Sequence, residues 1–235
     1  MPDLTPDSPA PRRFYGLVPC AGRGSRAGAE GPKQYLPLAG RPLVHHTLAA
    51  LAGVQRLALT LVVVAPGDRS LRLPEGRFAT VDCGGETRAR TVANGLDALR
   101  QHGAAAHDWV LVHDAARCLV TADLVDRLID ACAADAVGGL LAHPVADTVK
   151  RQEDGRSAGT VAREGLWLAQ TPQMFQLGAL AQALAASGPG VSDEAGAMEA
   201  LGHRPLLVPG ASQNFKVTFP ADFALAEAVL RSRQR

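Results

Sequence analysis

The sequence predicts an α/β fold in which a doubly wound, mostly parallel sheet carries helices on both faces. From Phe14 onward, short runs rich in β-branched residues alternate with longer segments rich in Ala and Leu. The short runs are apolar throughout, which is typical of strands buried on both faces of a parallel sheet. The regular alternation of the two kinds of segment indicates repeated β–α units.

The individual elements follow from the same pattern. Strands are expected at residues 15–18, 58–64, 80–83, 109–113, 139–142 and 205–208, and residues 214–218 are expected to end a late strand. Helices are expected at residues 43–51, 87–99, 121–133, 177–186, 193–201 and 221–230. Residues 1–13, with four prolines and no apolar segment of a signal peptide, are interpreted as a disordered tail. Residues 14–235 are interpreted as a single domain.

Residues 145–170 break this rhythm. Two short β-like pieces flank the polar, glycine-containing sequence EDGRSAG, which predicts a hairpin arm that projects from the main body. A surface loop is the alternative. A projecting arm needs a partner surface, and a homodimer supplies one.

Composition excludes several classes of protein. The 24 Lys and Arg residues balance 23 Asp and Glu residues, whereas a nucleic-acid binder usually has a basic excess. The 47% hydrophobic content excludes a disordered chain, and the longest apolar run, residues 57–65, is shorter than the roughly 20 residues of a membrane span. The cysteines are scattered and form no C-x-x-C pair, which favours reduced thiols. We expect a soluble cytoplasmic protein without a nucleic-acid or membrane partner.

The candidate site begins with the loop after the first strand, because ligands of open parallel sheets bind beyond the carboxyl ends of the strands. Residues 19–28 (PCAGRGSRAG) lead into residues 31–34 (GPKQ). Glycines let backbone N–H groups approach a polyphosphate, and Arg23, Arg26 and Lys33 add matching charge. The spacing fits neither the Walker loop nor the dinucleotide fingerprint. A phosphate-binding loop is therefore predicted, with a simple turn as the alternative.

A second loop, residues 84–91 (GGETRART), leads from a glycine pair into a helix capped by Glu86 or Thr87. The free N–H groups at a helix start can bind an anion or the polar edge of a base. A strand-to-helix turn with exposed arginines is the alternative.

A third loop, His113 to Arg117 (HDAAR), follows a strongly apolar strand. Asp114 is costly to place there unless it meets a metal, a sugar hydroxyl or a cation. A helix cap or an ion pair with Arg117 is the alternative. His113 is interpreted as structural.

Further polar residues fall in short downstream motifs, and each alone also fits a solvated charge, a helix cap or an edge strand. They are Thr148 and Lys150 in D-T-V-K, Arg163, Thr171 and Gln173 in T-P-Q, residues 192–194 (S-D-E), and Lys216 in N-F-K-V-T. Cations, backbone donors and one or two carboxylates without a nucleophile–base pair suit nucleotidyl transfer. A phosphate monoester acceptor is ionised at neutral pH, since its second pKa is about 6, and needs no general base.

Taken in order, these motifs resemble the 2-C-methyl-D-erythritol 4-phosphate cytidylyltransferase family of the non-mevalonate isoprenoid pathway. The motifs are P-C-A-G-R-G-S-R, G-P-K-Q-Y-L-P-L-A-G-R-P-L, G-G-E-T-R, V-H-D-A-A-R, D-T-V-K, G-L-W-L-A-Q-T-P-Q-M-F, S-D-E-A and N-F-K-V-T, colinear over residues 15–230. The chain has no room for the cyclodiphosphate synthase domain of bifunctional relatives, so the monofunctional form is expected.

The resemblance implies a Rossmann-like nucleotidyltransferase fold and a reaction. CMP would pass from CTP to 2-C-methyl-D-erythritol 4-phosphate, giving 4-diphosphocytidyl-2-C-methyl-D-erythritol and pyrophosphate. Mg²⁺ would bridge the triphosphate oxygens, with Asp114 as a further candidate ligand.

The resemblance also implies a role for each matching residue. The implied catalytic residues are Arg26, Lys33, Arg163 and Lys216. The implied CTP-binding residues are Pro19, Cys20, Ala21, Gly22, Gly24, Gly84, Gly85, Arg88, Thr91, Asp114 and Ala115. The implied acceptor-binding residues are Thr148, Arg163, Thr171 and Lys216, and Arg163 would reach the partner's site across a homodimer interface formed by the arm.

The chain departs from the family pattern at a few positions. Cys118 stands where proline is usual, Ala162 where aspartate is usual, Cys20 where alanine is usual, and Thr91 where serine is usual. Thr91 keeps the hydroxyl, and none of these changes removes a charged group from the expected site. Two alternatives remain open, a ribitol-5-phosphate (pentitol-phosphate) cytidylyltransferase and a non-catalytic nucleotide-binding module.

Overall fold

The computed structural model describes residues 12–22, 31–188 and 190–233. The predicted site residues Arg23, Gly24 and Arg26 lie outside the described residues, as does most of the predicted tail. Of that tail, Arg13 is described, and its backbone N–H donates to Asp108 Oδ1 at 2.8 Å. The predicted division into a tail and a single domain stays a prediction.

The described residues form strands and helices in the alternation that the sequence predicts. The strands are β1 (Phe14–Pro19), β2 (Pro37–Leu38), β3 (Arg41–Pro42), β4 (Leu57–Val63), β5 (Phe78–Val81), β6 (Trp109–Val112), β7 (Gly138–Pro144), β8 (Val149–Glu153), β9 (Arg156–Val161), β10 (Trp167–Gln176) and β11 (Leu206–Pro209). The α-helices are α1 (Leu43–Ala52), α2 (Arg88–Gln101), α3 (Ala122–Cys132), α4 (Leu177–Ala186), α5 (Glu194–Ala200) and α6 (Pro220–Ser232), and a short 3₁₀ helix covers Lys33–Tyr35.

Seven strands make the central sheet, in the order β11-β7-β10-β6-β1-β4-β5. The pairs β1–β4, β1–β6, β4–β5 and β7–β11 are parallel, while β10 runs antiparallel to both β6 and β7. This confirms the mostly parallel sheet. Strand β10 was not among the predicted strands, because Pro172 and the polar residues around it interrupt any apolar run. The register of β10 against β7 shifts between Ala169 and Gln173, and such an irregularity accommodates a proline inside a sheet.

Helices cover both faces of the sheet, as a doubly wound fold requires. Leu17 of β1 lies in the core cluster that includes Leu96 of α2, whereas its neighbour Val18 lies in the cluster that includes Leu48 of α1. Consecutive residues of one buried strand thus serve two separate layers, which explains why the strand is apolar throughout. No α-helix in the described ranges is long and apolar enough to cross a membrane.

The arm is a hairpin rather than a surface loop, because β8 and β9 pair antiparallel in a sheet of their own. Its turn contains Asp154 and Gly155, both at positive φ (48° and 77°), as the Asp-Gly hairpin turn requires. The predicted boundary of residues 145–170 ends too late. Residues 167–170 already belong to β10 of the central sheet.

The prediction that a late strand ends at residues 214–218 is wrong. This segment belongs to no strand, and the Val217 N–H donates instead to the carbonyl of Ala116 at 2.9 Å. It crosses the loop after β6 and so brings Lys216 to the carboxyl edge of the sheet.

Gly138 makes the packing of β7 against β10 testable. A Cβ at Gly138 would lie 2.2 Å from the Met174 carbonyl oxygen, and Gly138 has φ +107°. Gly103, at φ +84°, has open space around the same position. We expect Gly138→Ala to lower the free energy of unfolding by about 3 kcal/mol and Gly103→Ala by about 1 kcal/mol, since only the first adds a backbone clash to the positive-φ strain. Urea titration measures both, and equal losses would contradict the clash.

Candidate active site

The candidate site lies where the parallel strands β1, β4 and β6 end at one edge of the sheet. The Cys20 N–H donates to the Val63 carbonyl at 2.7 Å, and the Gly84 N–H donates to the Val64 carbonyl at 2.9 Å. A Cβ at Gly84 would stand 2.3 Å from the Cβ of Ala21. The first and second loops therefore touch, and Gly84 has no room for a side chain.

Side-chain hydrogen bonds shape the second loop. Thr87 caps α2, because its hydroxyl accepts the Arg90 N–H at 3.1 Å, which selects Thr87 over Glu86. The buried Thr91 hydroxyl donates to the Thr87 carbonyl at 2.9 Å and accepts the Gly85 N–H at 3.0 Å. Thr91, predicted to bind CTP, thus holds the glycine pair in shape.

Asp114 is the most heavily engaged group of the site. The residue is 7% exposed, and its Oδ1 accepts Arg88 Nε at 2.8 Å while its Oδ2 accepts Lys216 Nζ at 2.9 Å. Arg117 is the weaker partner, with Nε at 3.8 Å. Burial alone would raise the pKa of Asp114. The positive charges of Arg88 and Lys216 lower this pKa by more than burial raises it, so the pKa lies well below its usual range. The alternative of an ion pair thus holds, with Arg88 and Lys216 as closer partners than the expected Arg117, and a contact of Asp114 with ribose or Mg²⁺ stays a prediction.

Arg88 bridges Asp114 to a second buried carboxylate. Its two terminal nitrogens donate to the two oxygens of Glu194 at 2.7 and 2.9 Å. Burial disfavours the charge of Arg88, but Glu194 and Asp114 more than compensate and raise its pKa. Arg88 was expected to bind CTP. In this structure it donates to these two carboxylates, and its role in CTP binding stays a prediction.

The backbone of Asp114 is held by a hydrogen-bonded chain. The Asp114 N–H donates to Thr171 Oγ1 at 3.0 Å, Thr171 Oγ1 lies 2.9 Å from His113 Nδ1, and His113 Nε2 lies 3.1 Å from the Arg117 carbonyl. Because a carbonyl only accepts, His113 Nε2 carries the proton, and its Nδ1 accepts from Thr171. His113 is structural as predicted. Thr171, expected to contact the acceptor, is buried and positions the Asp114 loop.

Lys33 lies beside the segment that carries Lys216. Its buried Nζ donates to the Val217 carbonyl. The next two residues of its 3₁₀ helix are anchored to two other loops: Gln34 Nε2 donates to the Cys20 carbonyl at 2.8 Å, and the Tyr35 hydroxyl donates to Asp68 Oδ2 at 2.6 Å. The structure thus brings the two predicted catalytic lysines to the same segment.

Sequence reasoning gave Asn214 no role of its own, although it anchors the segment that carries Lys216. Its side-chain amide is buried and donates to the Thr171 carbonyl at 2.9 Å and to Gln170 Oε1 at 3.2 Å. Arg117 Nη1 donates to the Asn214 carbonyl at 2.8 Å. The position of Asn214 in N-F-K-V-T, two residues before Lys216, was the sequence signal that could have indicated this role.

The remaining predicted residues fall into two groups. Pro19 ends β1, and the exposed Gly22 lies in the loop that follows it. The buried Ala115 lies in the loop after β6, and its carbonyl accepts the Thr47 hydroxyl at 2.8 Å. Thr148 and Arg163 are exposed at the base of the arm.

Arg163 donates to the Ala146 carbonyl and is not part of the Asp114 network. Within one chain, the arm residues and the Asp114 cluster thus remain separate groups.

The substituted cysteines pack as apolar side chains. Cys118 is buried in a cluster with Leu119 and Val217, and burial raises the pKa of its thiol to about 11. Burial likewise raises the pKa of Cys20 to about 12. Both thiols are therefore protonated at neutral pH and unsuited to act as nucleophiles.

Most of the chain matches one known protein family. Residues 15–232 match the family model described as IspD, 2-C-methyl-D-erythritol 4-phosphate cytidylyltransferase. A bifunctional IspD/IspF enzyme of Albidiferax ferrireducens is 60% identical over 235 residues, covering 99% of this chain but only 56% of the relative. The 2-C-methyl-D-erythritol 4-phosphate cytidylyltransferase of Ralstonia nicotianae is 54% identical over 233 residues, covering 93% of this chain and 92% of that protein.

Solved structures show the same similarity. A crystal structure of 4-diphosphocytidyl-2C-methyl-D-erythritol synthase matches with a TM-score of 0.84 at 41% identity, covering 93% of this chain and 99% of that one. The Francisella tularensis 2-C-methyl-D-erythritol 4-phosphate cytidylyltransferase matches with a TM-score of 0.80 at 31% identity, covering 92% and 99%.

The buried His113, which is hydrogen-bonded through Thr171 to the Asp114 backbone, predicts a pH dependence of stability. Burial lowers the pKa of His113 to about 4, so between pH 6.5 and pH 4 the unfolded state binds a proton that the folded state does not. Stability must fall as the pH falls through this window. We expect wild type to lose about 3 kcal/mol more than His113→Gln between pH 7 and pH 4. Urea titrations at a series of pH values measure this difference, and parallel profiles would contradict the assignment.

Proposed function

The chain belongs to the 2-C-methyl-D-erythritol 4-phosphate cytidylyltransferase family of nucleotidyltransferases, and on that premise we propose that it transfers CMP from CTP to 2-C-methyl-D-erythritol 4-phosphate. The products are 4-diphosphocytidyl-2-C-methyl-D-erythritol and pyrophosphate. The observation that carries the proposal is the meeting of Lys33 and Lys216 on one segment beside the Asp114 loop. Two lysines beside the glycine-containing loops at the carboxyl edge of the sheet suit the binding of two phosphorylated substrates.

The reaction needs no base from the protein. A phosphate oxygen of the ionised acceptor forms a bond to the α-phosphorus of CTP. The bond from that phosphorus to the bridging β-phosphate oxygen breaks, and its electron pair leaves with pyrophosphate. Lys33 neutralises charge that builds at the α-phosphate, and Lys216 orients the acceptor phosphate. Such a reaction depends mainly on positioning and electrostatic stabilisation.

Magnesium is proposed to arrive bound to the triphosphate. The described ranges contain no group of three or more His, Cys, Asp or Glu residues that could hold a metal ion. The role of Asp114 as a further metal ligand stays a prediction, and in this structure each of its oxygens has a cation as its partner. The predictions of a cytoplasmic location and of no nucleic-acid partner stay predictions.

A substrate panel separates the proposed reaction from its rivals. The protein is incubated with CTP, Mg²⁺ and either methylerythritol phosphate or ribitol 5-phosphate, while pyrophosphate release is measured. Turnover with methylerythritol phosphate supports the proposal. Turnover with ribitol 5-phosphate alone would support the pentitol-phosphate enzyme, and CTP binding without turnover of either acceptor would support the non-catalytic module.

Removing the ammonium of Lys33 tests its role in the transfer. We expect Lys33→Ala to lower kcat by about 100-fold while CTP binding remains measurable by calorimetry, because the charge acts mainly on the reacting phosphate. Arg100→Ala is the control, since it removes one cation from an exposed ion pair with Asp97 in the last turn of α2. An unchanged kcat in Lys33→Ala would refute the role.

We also propose that the arm joins two copies and that Arg163 serves the partner's site. An isolated two-stranded hairpin is only marginally stable in water, and almost every residue of β8 and β9 is exposed. The large apolar side chains of Leu166, Trp167 and Leu168 are also exposed at its base. Both features favour a covering surface from a second copy.

A mixed dimer tests this shared site. Arg163→Ala and Lys216→Met should each be nearly inactive alone, yet a co-expressed mixed dimer contains one site with neither change. With random pairing we expect about one quarter of wild-type activity to return. Sedimentation supplies the oligomeric state. Activity that stays at the level of the single variants, or a monomer at assay concentration, would remove the basis for the proposal.

A further inference from the structure

Glu194 is a fully buried carboxylate to which the proposed reaction assigns no task. It begins α5, is 0% exposed, and has both oxygens bound by Arg88. Burying an ion pair costs several kcal/mol per ion, and well-packed apolar residues often replace such pairs without loss of stability. Stability alone is therefore a poor reason for this charge.

A series of four side chains with alternating charge runs from Glu194 to the candidate site. Glu194 pairs with Arg88, Arg88 with Asp114 at 2.8 Å, and Asp114 with Lys216 at 2.9 Å. The exposed fraction of the side chains is 1% for Glu194, 25% for Arg88, 9% for Asp114 and 37% for Lys216. The chain thus runs from a fully buried anchor to the most exposed member, Lys216.

The anchor itself is held rigidly by β10. Gln173 Nε2 donates to Asp193 Oδ2 at 2.8 Å, and Gln173 Oε1 accepts the Ala195 N–H at 2.7 Å. Asp193 Oδ1 accepts the Gly196 N–H at 3.0 Å and caps α5. The T-P-Q and S-D-E-A motifs therefore interlock on both sides of Glu194.

The planar guanidinium of Arg88 connects the fixed Glu194 to Asp114. Its donors form a fixed fork, so holding both terminal nitrogens on Glu194 sets the direction in which Nε points. Nε then takes only Asp114 Oδ1 and leaves Oδ2 to Lys216. Without Glu194, the freed nitrogens can pair with both oxygens of Asp114, which is the preferred arrangement of Arg with a carboxylate.

We propose that Glu194 is a positioning residue that acts through Arg88 and Asp114 to fix the ammonium of Lys216. The consequence for catalysis rests on the proposed function, in which Lys216 orients the acceptor phosphate. Loss of the Glu194 charge releases Lys216 from Asp114. It raises the acceptor KM and lowers kcat.

Competitive acetylation tests the placement of Lys216 without any assay of activity. Wild type and Glu194→Gln are treated with a trace of acetic anhydride, and mass spectrometry compares Lys216 with the exposed Lys150 of the same chain. We expect Lys216 to react at least about threefold faster, relative to Lys150, in the variant, because it loses its carboxylate partner. Glu227→Gln is the matched control, since it removes a carboxylate from the exposed pair with Arg231. An unchanged ratio in Glu194→Gln would overturn the proposal.

Arg88→Lys keeps the positive charge but removes the fork, and it provides a second route if Glu194→Gln is too unstable to assay. The same rise in Lys216 acetylation is expected, and its absence in a folded Arg88→Lys protein would overturn the proposal.

A double-mutant cycle then tests the effect on the reaction. Glu194→Gln should lower kcat/KM for the acceptor about tenfold in wild type and leave it unchanged in a Lys216→Met background, although the two residues do not share an ion pair. Equal losses in both backgrounds would overturn the positioning role. If wild type transfers CMP to neither acceptor while Lys216 acetylation still responds, the proposed function fails and the placement of Lys216 by Glu194 stands.

Discussion

The ion-pair cluster around Asp114 is the constraint on which the rest of the candidate site depends. Asp114 lies in the loop after the central strand β6, Arg88 begins α2, and Lys216 lies in the segment between β11 and α6. None of these three elements is bonded to the others in a sheet or helix at this point. The two ion pairs join them, together with the bond from the Val217 N–H to the Ala116 carbonyl. A buried carboxylate stripped of its cations would cost about 3–5 kcal/mol.

Strand β10 supports this cluster from several directions. Its Thr171 hydroxyl accepts the Asp114 N–H, its Gln173 holds the start of α5, and the Ala169 carbonyl accepts Arg117 Nη2 at 3.1 Å. The same strand leads directly out of the arm. Any surface that fixes the arm therefore also fixes the strand beneath the site, which gives a physical reason to expect assembly and active-site geometry to be coupled.

The features that could be predicted from sequence are those that repeat or that use scarce residue types. Apolar runs predicted the parallel strands, because that pattern has few alternatives. The isolated aspartate after β6 marked a functional loop but left a metal, a sugar hydroxyl, a cation and a helix cap open as its partner. Strand β10 escaped, since its polar side chains bind neighbouring loops instead of forming an apolar run. The segment around Lys216 was mistaken for a strand because short alternating sequences do not reveal which backbone they pair with. Glu194 looked like an ordinary acid in the first turn of a helix, and only the approach of Arg88 shows otherwise.

The near balance of cations and anions in the composition takes on a local meaning in this cluster. Among the described residues of the site, Lys216 and Arg88 are matched by Asp114 and Glu194. An incoming phosphate would then replace one anion on Lys216 by another, and Asp114 would keep Arg88 as its partner. Because Lys216 is paired in the free protein, neighbouring cations do not repel one another there. Because Lys216 is already positioned, binding does not pay the entropy of ordering a mobile side chain. A locally balanced cluster is thus compatible with tight recognition of small phosphorylated substrates, because the paired charges are arranged in advance of the ligand.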